Sequence, residues 1–163
     1  GFDLTYVEYR GRGHEHFSDE LLKIFDWTSR RTRSTFPKEI DAVSMRPWDR
    51  LFWWIEMNSP PRRTMVMPSD WPPTQFGRPF ALSAKVTASN RVTARCGAEE
   101  VRVWLSPEIV DFQRPVTINL GTRRIHQGDI TPDIDTLLED LRTRCDYQHP
   151  FWTVVTNKPL PAQ

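Results

Sequence analysis

The sequence predicts a mainly β chain, α+β overall: an antiparallel β-sandwich, immunoglobulin-like or jelly-roll, preceded by a strand–loop–helix segment and carrying one further short helix. Three observations predict it. From Phe36 onward, short β-branched and aromatic runs alternate with Pro, Gly, Asn and Asp at the spacing of a sandwich. Several of these runs have period 2, so Val101, Val103 and Leu105 should face one side and Arg102 and Trp104 the other, and Val116, Ile118 and Leu120 repeat the pattern. The first 35 residues have a different texture, which divides the chain into a segment 1–35 and a sandwich domain 36–163.

Leu4 to Tyr9 (LTYVEY) reads as a strand whose end is punctuated by Gly11 and Gly13. Ser18 is placed to cap a helix over 18–31, with Asp19 and Glu20 in its first turn and Leu21, Leu22, Phe25 and Thr28 at helical spacing. The basic run Arg30, Arg31 and Arg33 then falls where cations complement the helix dipole. The sandwich strands are expected at Ala42–Met45, Leu51–Met57, Phe80–Thr87, Arg91–Cys96, Val101–Leu105, Val116–Leu120, Arg123–His126 and Trp152–Thr156. Between Asn58 and Pro79 the prolines cannot donate to a ladder, so a long loop or edge segment is expected. A second helix is expected over Asp133–Arg144, capped by Thr131 with Pro132 at its first position, and Ile134, Leu137, Leu138 and Leu141 form its apolar stripe.

With 22 basic and 21 acidic residues interleaved, the chain has no electrostatic footprint for a polyanion, which excludes nucleic acid as the expected partner. No apolar run approaches the roughly 20 residues that span a bilayer, so no membrane span and a soluble piece are expected. Cys96 and Cys145 are too few for a disulfide scaffold and lack metal-ligand spacing.

The chemistry-bearing element is the loop after the first strand. Functional loops of an α/β sheet lie at the C-terminal ends of its strands, and His14 and His16 both sit there, in a frame of Gly11 and Gly13. Histidine exchanges protons near neutral pH, and the glycines let the backbone turn sharply enough to aim it. This segment, with Gly11, Gly13 and His14 followed by Phe17, Glu20, Ile24, Phe25, Asp26 and Trp27, resembles the C-terminal end of an α/β-hydrolase of the prolyl oligopeptidase-like serine peptidase and esterase type.

The resemblance covers residues 2 to about 30. It implies that 1–35 is the last strand, histidine loop and helix of an incomplete hydrolase domain, that His14 is the triad histidine with His16 as the alternative, and that 36–163 is an accessory β domain. It implies a secreted or periplasmic parent. The family's Gly-x-Ser-x-Gly elbow is absent from the chain, so the piece alone is expected to be inert and its first partner to be the catalytic portion upstream in the same protein. A strand without sheet neighbours is an association hazard, so Leu4–Tyr9 should add to the sandwich's sheet edge, pair with another chain as a strand-mediated dimer, or be disordered.

Other readings are weaker. A His14–Glu15–His16 metal site, completed by His126 or His149, rests on a bare His-x-His, and no metal or other cofactor is assigned. The acids around Asp129, Asp133 and Asp135 do not match a calcium loop. The alternative function is a non-catalytic sandwich that binds carbohydrate or a protein partner. Among the aromatic residues Trp71, in the Pro-rich stretch, is the ring least explained by a strand.

Overall fold

The computed structural model describes residues 4–46, 48–58 and 79–158, and the chain divides into two compact units, Gly1–Ser34 and Thr35–Gln163.

In the first unit, helix α1 spans Ser18–Ser29. Phe17 stands at the cap position without a side-chain bond, so Ser18 opens the helix rather than capping it, while Asp19 and Glu20 complement the dipole of the first turn as expected. The last turn is closed from within: the Thr28 hydroxyl reaches the Ile24 and Phe25 carbonyls and Ser29 reaches that of Asp26. Arg30 and Arg31 fold back on the same turn. Arg30 pairs with Asp26 at 2.5 Å, and the Arg31 guanidinium lies 3.7 Å from the Trp27 ring centroid and donates to its carbonyl.

The expected strand Leu4–Tyr9 does not form, and this segment is irregular and exposed. A helix closes its backbone hydrogen bonds within itself, whereas a strand needs a neighbour, and among the described residues none pairs with this one. It is not added to either sheet of the sandwich.

Among the described residues the second unit holds nine strands: β1 (Glu39–Ser44), β2 (Leu51–Phe52), β3 (Ile55–Asn58), β4 (Phe80–Thr87), β5 (Arg91–Arg95), β6 (Glu100–Leu105), β7 (Val116–Leu120), β8 (Arg123–Gly128) and β9 (Thr153–Thr156). They form a five-stranded sheet in the order β1-β4-β5-β7-β8 and a four-stranded sheet in the order β2-β3-β6-β9. Every neighbouring pair is antiparallel except β5 and β7, which run parallel because the chain crosses to the other sheet as β6 between them.

The period-2 reading gives the core. Val101, Val103 and Leu105 of β6 are buried while Arg102 and Trp104 are only half-buried on the opposite face. Ile40, Leu82, Val92 and Ile118 from one sheet join Ile55, Met57 and Val103 from the other in one cluster, and each such side chain contributes about 1.5–3 kcal/mol on burial. The cluster shows that the two sheets pack face to face, the sandwich expected from the sequence.

The expected single strand Leu51–Met57 is two strands. The chain turns at Trp53, whose φ is +55°, so that Leu51 pairs with Glu56 and Phe52 with Ile55. The turn carries Trp54 fully into the core, where its indole N–H donates to the Pro37 carbonyl at 2.8 Å. Helix α2 spans Ile134–Arg144, and its cap is Asp133 rather than Thr131. The Asp133 carboxylate accepts from the Thr136 amide at 3.1 Å and from its hydroxyl, which places the helix start two residues later. The apolar stripe of α2 is only partly used, since Leu137 and Leu141 are half-buried but Ile134 and Leu138 are exposed.

Candidate functional site

The histidine loop is built by its flanking side chains. After Tyr9 the backbone turns through Gly11, whose φ of +73° lies in the region glycine enters without strain. Arg12 then donates from Nε and Nη2 to the two carboxylate oxygens of Glu15, at 2.6 and 2.8 Å, closing a fork across Gly13 and His14. The same guanidinium lies 5.5 Å from the Phe17 ring centroid, and Phe17 stacks on Tyr9 at 5.2 Å. The Tyr9 hydroxyl donates to Glu20, which Lys23 also reaches at 2.8 Å.

These contacts set the electrostatics. The hydrogen bond from Arg12 holds the Glu15 carboxyl below the usual carboxylate range, and that to Glu20 raises the Tyr9 phenol. His14 and His16 are both exposed, and neither makes a hydrogen bond or ion pair among the described residues. The loop thus presents two imidazoles to solvent. Glu15 is committed to Arg12, so it is a poor third ligand for a metal held by the two histidines, and among the described residues no group of three His, Cys, Asp or Glu side chains could hold one.

Sequence reasoning singled out the histidines but missed the Arg12–Glu15 pair that brackets His14. The pattern it leaves in the sequence, opposite charges three residues apart around a glycine, is common on protein surfaces and does not by itself mark function.

His126 and His149 lie in the sandwich unit. His126 Nε2 is 3.3 Å from the Gly128 carbonyl. His149 Nδ1 lies 3.4 Å from Asp146, and its ring meets Phe36 edge-on. Beside His149 the buried Asp140 pairs with the partly exposed Arg144 and ties α2 to the segment leading into β9. Asp140, Arg144, Asp146 and His149 satisfy one another and the backbone, which marks a structural cluster.

Carbohydrate binding calls for exposed rings that can stack on a sugar, yet Trp54, Phe80 and Phe151 are buried, and Phe52, Trp53, Trp104 and Trp152 are half-buried. Trp71 lies outside the described residues. The sandwich has a cavity of about 220 Å³ at one end, lined by Ala94, Cys96, Val101, Leu120 and Ile125 among others. Burial raises the Cys96 thiol, which makes it a weak nucleophile at neutral pH, and Cys145 is exposed; neither is in a disulfide. Among the described residues no helix is long and apolar enough to cross a membrane.

No protein-family model, curated protein or solved structure matches the chain.

Proposed function

We propose that the first unit is the closing strand segment, histidine loop and final helix of a serine peptidase or esterase catalytic domain, and that the sandwich is its accessory domain. His14 is the general base. In the reaction it takes the proton of a serine hydroxyl as that oxygen attacks the substrate carbonyl, passes it to the leaving group, and then activates the water that hydrolyses the acyl-enzyme. The serine, the carboxylate that orients His14 and the oxyanion donors come from sequence upstream in frame, so residues 1–163 alone are inert.

One observation carries this reading. Helix α1 buries none of its residues, and Leu22 is 78 % exposed, Phe25 66 % and Leu4 79 %, in a unit whose loop presents His14. Apolar surface of this extent is what a strand–loop–helix piece shows when the sheet it belongs to is elsewhere. Among the described residues of this unit none is buried, so these side chains have no core of their own there.

The test is the upstream reading frame, which should encode Gly-x-Ser-x-Gly followed by an acid before residue 1. The extended protein should hydrolyse activated esters and label with a fluorophosphonate. His14→Ala should abolish turnover and His16→Ala should leave most of it. An upstream frame without the serine motif would end this proposal, and the opposite ranking of the two variants would move the base to His16.

A further inference from the structure

Four side chains tie the histidine loop together. The Arg12 fork on Glu15 spans Gly13 and His14, and Arg12 also covers Phe17, which stacks on Tyr9 from the other side of the loop. His14 lies within the span of the Arg12–Glu15 fork, and His16 follows just after it.

The loop needs such a restraint. Glycine at 11 and 13 gives the backbone around His14 more freedom than any other residue would, while a catalytic base works only if held within tenths of an ångström of its working position. Surface ion pairs usually contribute little, but a bidentate guanidinium–carboxylate pair that also stacks on a ring is the geometry in which they do contribute. Both Glu15 oxygens are taken by Arg12, so this carboxylate is not the one that orients the imidazole, although it is adjacent in sequence.

We propose that Arg12 and Glu15 are positioning residues: their fork fixes the backbone of Gly13 and His14 so that the His14 imidazole is presented in one direction. This rests on the assignment of His14 as the hydrolase base and names what aims it.

Two measurements test it separately. In the 163-residue chain, ¹⁵N relaxation should give order parameters near about 0.8 at Gly13 and His14, falling below about 0.6 in Arg12→Ala and in Glu15→Ala. The charge swap, Arg12→Glu combined with Glu15→Arg, should restore order. Equal mobility in the wild type and both variants overturns the fork and leaves the hydrolase assignment standing.

In the extended protein, Arg12→Ala should lower kcat about fivefold to tenfold with KM unchanged. Arg12→Lys, which keeps the charge but not the fork, should recover only part of this, and the swap most of it. An unchanged kcat in Arg12→Ala overturns the positioning role. An ordered loop in a wild-type extended protein that hydrolyses nothing overturns the hydrolase assignment, and this inference with it.

Discussion

Arg144 grips Asp140 through two hydrogen bonds of 2.5 and 2.6 Å, and the Asp140 carboxylate, 3 % exposed, takes a third from the Phe151 amide at 2.9 Å. The Arg144 guanidinium also donates to the His149 carbonyl and lies 4.3 Å from the Phe151 ring centroid. One ion pair thus joins α2, the loop after it and the entry to β9.

Removing one partner of a buried pair costs about 3–5 kcal/mol, because the other charge is left without compensation. Arg144 is 23 % exposed and can reach water, which lowers the expected loss for Asp140→Ala to about 2–4 kcal/mol. Asp140→Asn keeps an acceptor for the Phe151 amide and should lose less. Urea unfolding followed by tryptophan fluorescence measures both. A change below about 0.5 kcal/mol in Asp140→Ala would show that the pair is not a determinant of the sandwich.

Asn90 should be nearly as sensitive. It closes the β4–β5 hairpin at a φ of +59°, buried, and its side-chain amide donates to the carbonyls of Asp111, Arg114 and Pro115 while its oxygen accepts from the Asp111 amide. Asn90→Gly removes these bonds but keeps the backbone geometry free of strain. Asn90→Ala loses the bonds and strains the backbone, so it should cost about 1 kcal/mol more than glycine. Asn90→Asp sets a carboxylate against three carbonyls and should be the worst of the three. A thermal unfolding series that ranks them otherwise would refute this account.

The same hairpin shows what the sequence could and could not reveal. β4 and β7 were legible to the residue because alternating burial repeats the alternating residue types, and the turn signal Ser-Asn sits between β4 and β5. The turn at Trp53 was not legible: two adjacent tryptophans look like strand interior, and only the burial of Trp54 against Pro37 makes a positive φ at Trp53 worthwhile. Thr131-Pro132 was a valid local cap, and Asp133 displaced it because its carboxylate meets two donors of Thr136 at once. The histidine loop was found from its glycines and imidazoles. The fork around His14 was missed because exposed charges of opposite sign three residues apart are common and carry no signal of function.

Asp133 gives α2 a pH-dependent start. Bonds from the Thr136 hydroxyl and then its amide hold the Asp133 carboxyl below the usual aspartate range. A folded pKa below the unfolded one contributes stability that is complete above the unfolded pKa and is lost as pH falls through the folded one. The contribution should therefore be constant from about pH 7 to about pH 5, begin to fall near about pH 4 and be lost once the pH drops below the folded pKa. Asparagine caps almost as well and does not titrate. The urea midpoint of the wild type should exceed that of Asp133→Asn at neutral pH and lose that margin in acid. A margin independent of pH would show that the carboxylate charge plays no part.

The two thiols should differ in reactivity. Burial raises the Cys96 thiol, offset only in part by the Ala98 amide, while Cys145 is exposed at the left-handed end of α2. At pH 7.5 a disulfide reagent should modify one thiol per chain quickly and the second more than about tenfold more slowly. Cys145→Ser should remove the fast phase, and urea should merge the two. A fast phase that survives Cys145→Ser would reverse the assignment, and fewer than two reactive thiols in urea would mean that the chain carries a disulfide.

The apolar surface of the first unit makes a prediction about association. Leu21, Leu22, Ile24 and Phe25 cover a continuous stripe of α1, all at least half exposed, and Leu4, Tyr6 and Val7 add to it from the irregular segment. Each side chain buried against a partner contributes about 1.5–3 kcal/mol, enough for two or three of them to offset the entropy of association at high protein concentration. The 163-residue chain should therefore self-associate in sedimentation velocity as concentration rises. Leu22→Lys combined with Phe25→Glu should keep it monomeric without moving the unfolding midpoint of the sandwich, which is a separate unit. Val7→Pro separates two modes of association: proline deletes a backbone donor, so it should block pairing through a strand at residues 4–9 and leave packing of the helix faces intact. Monomeric wild-type chain across the whole concentration range would show that this surface is too weakly apolar to need a partner, and would remove the main support for placing these residues in a larger catalytic domain.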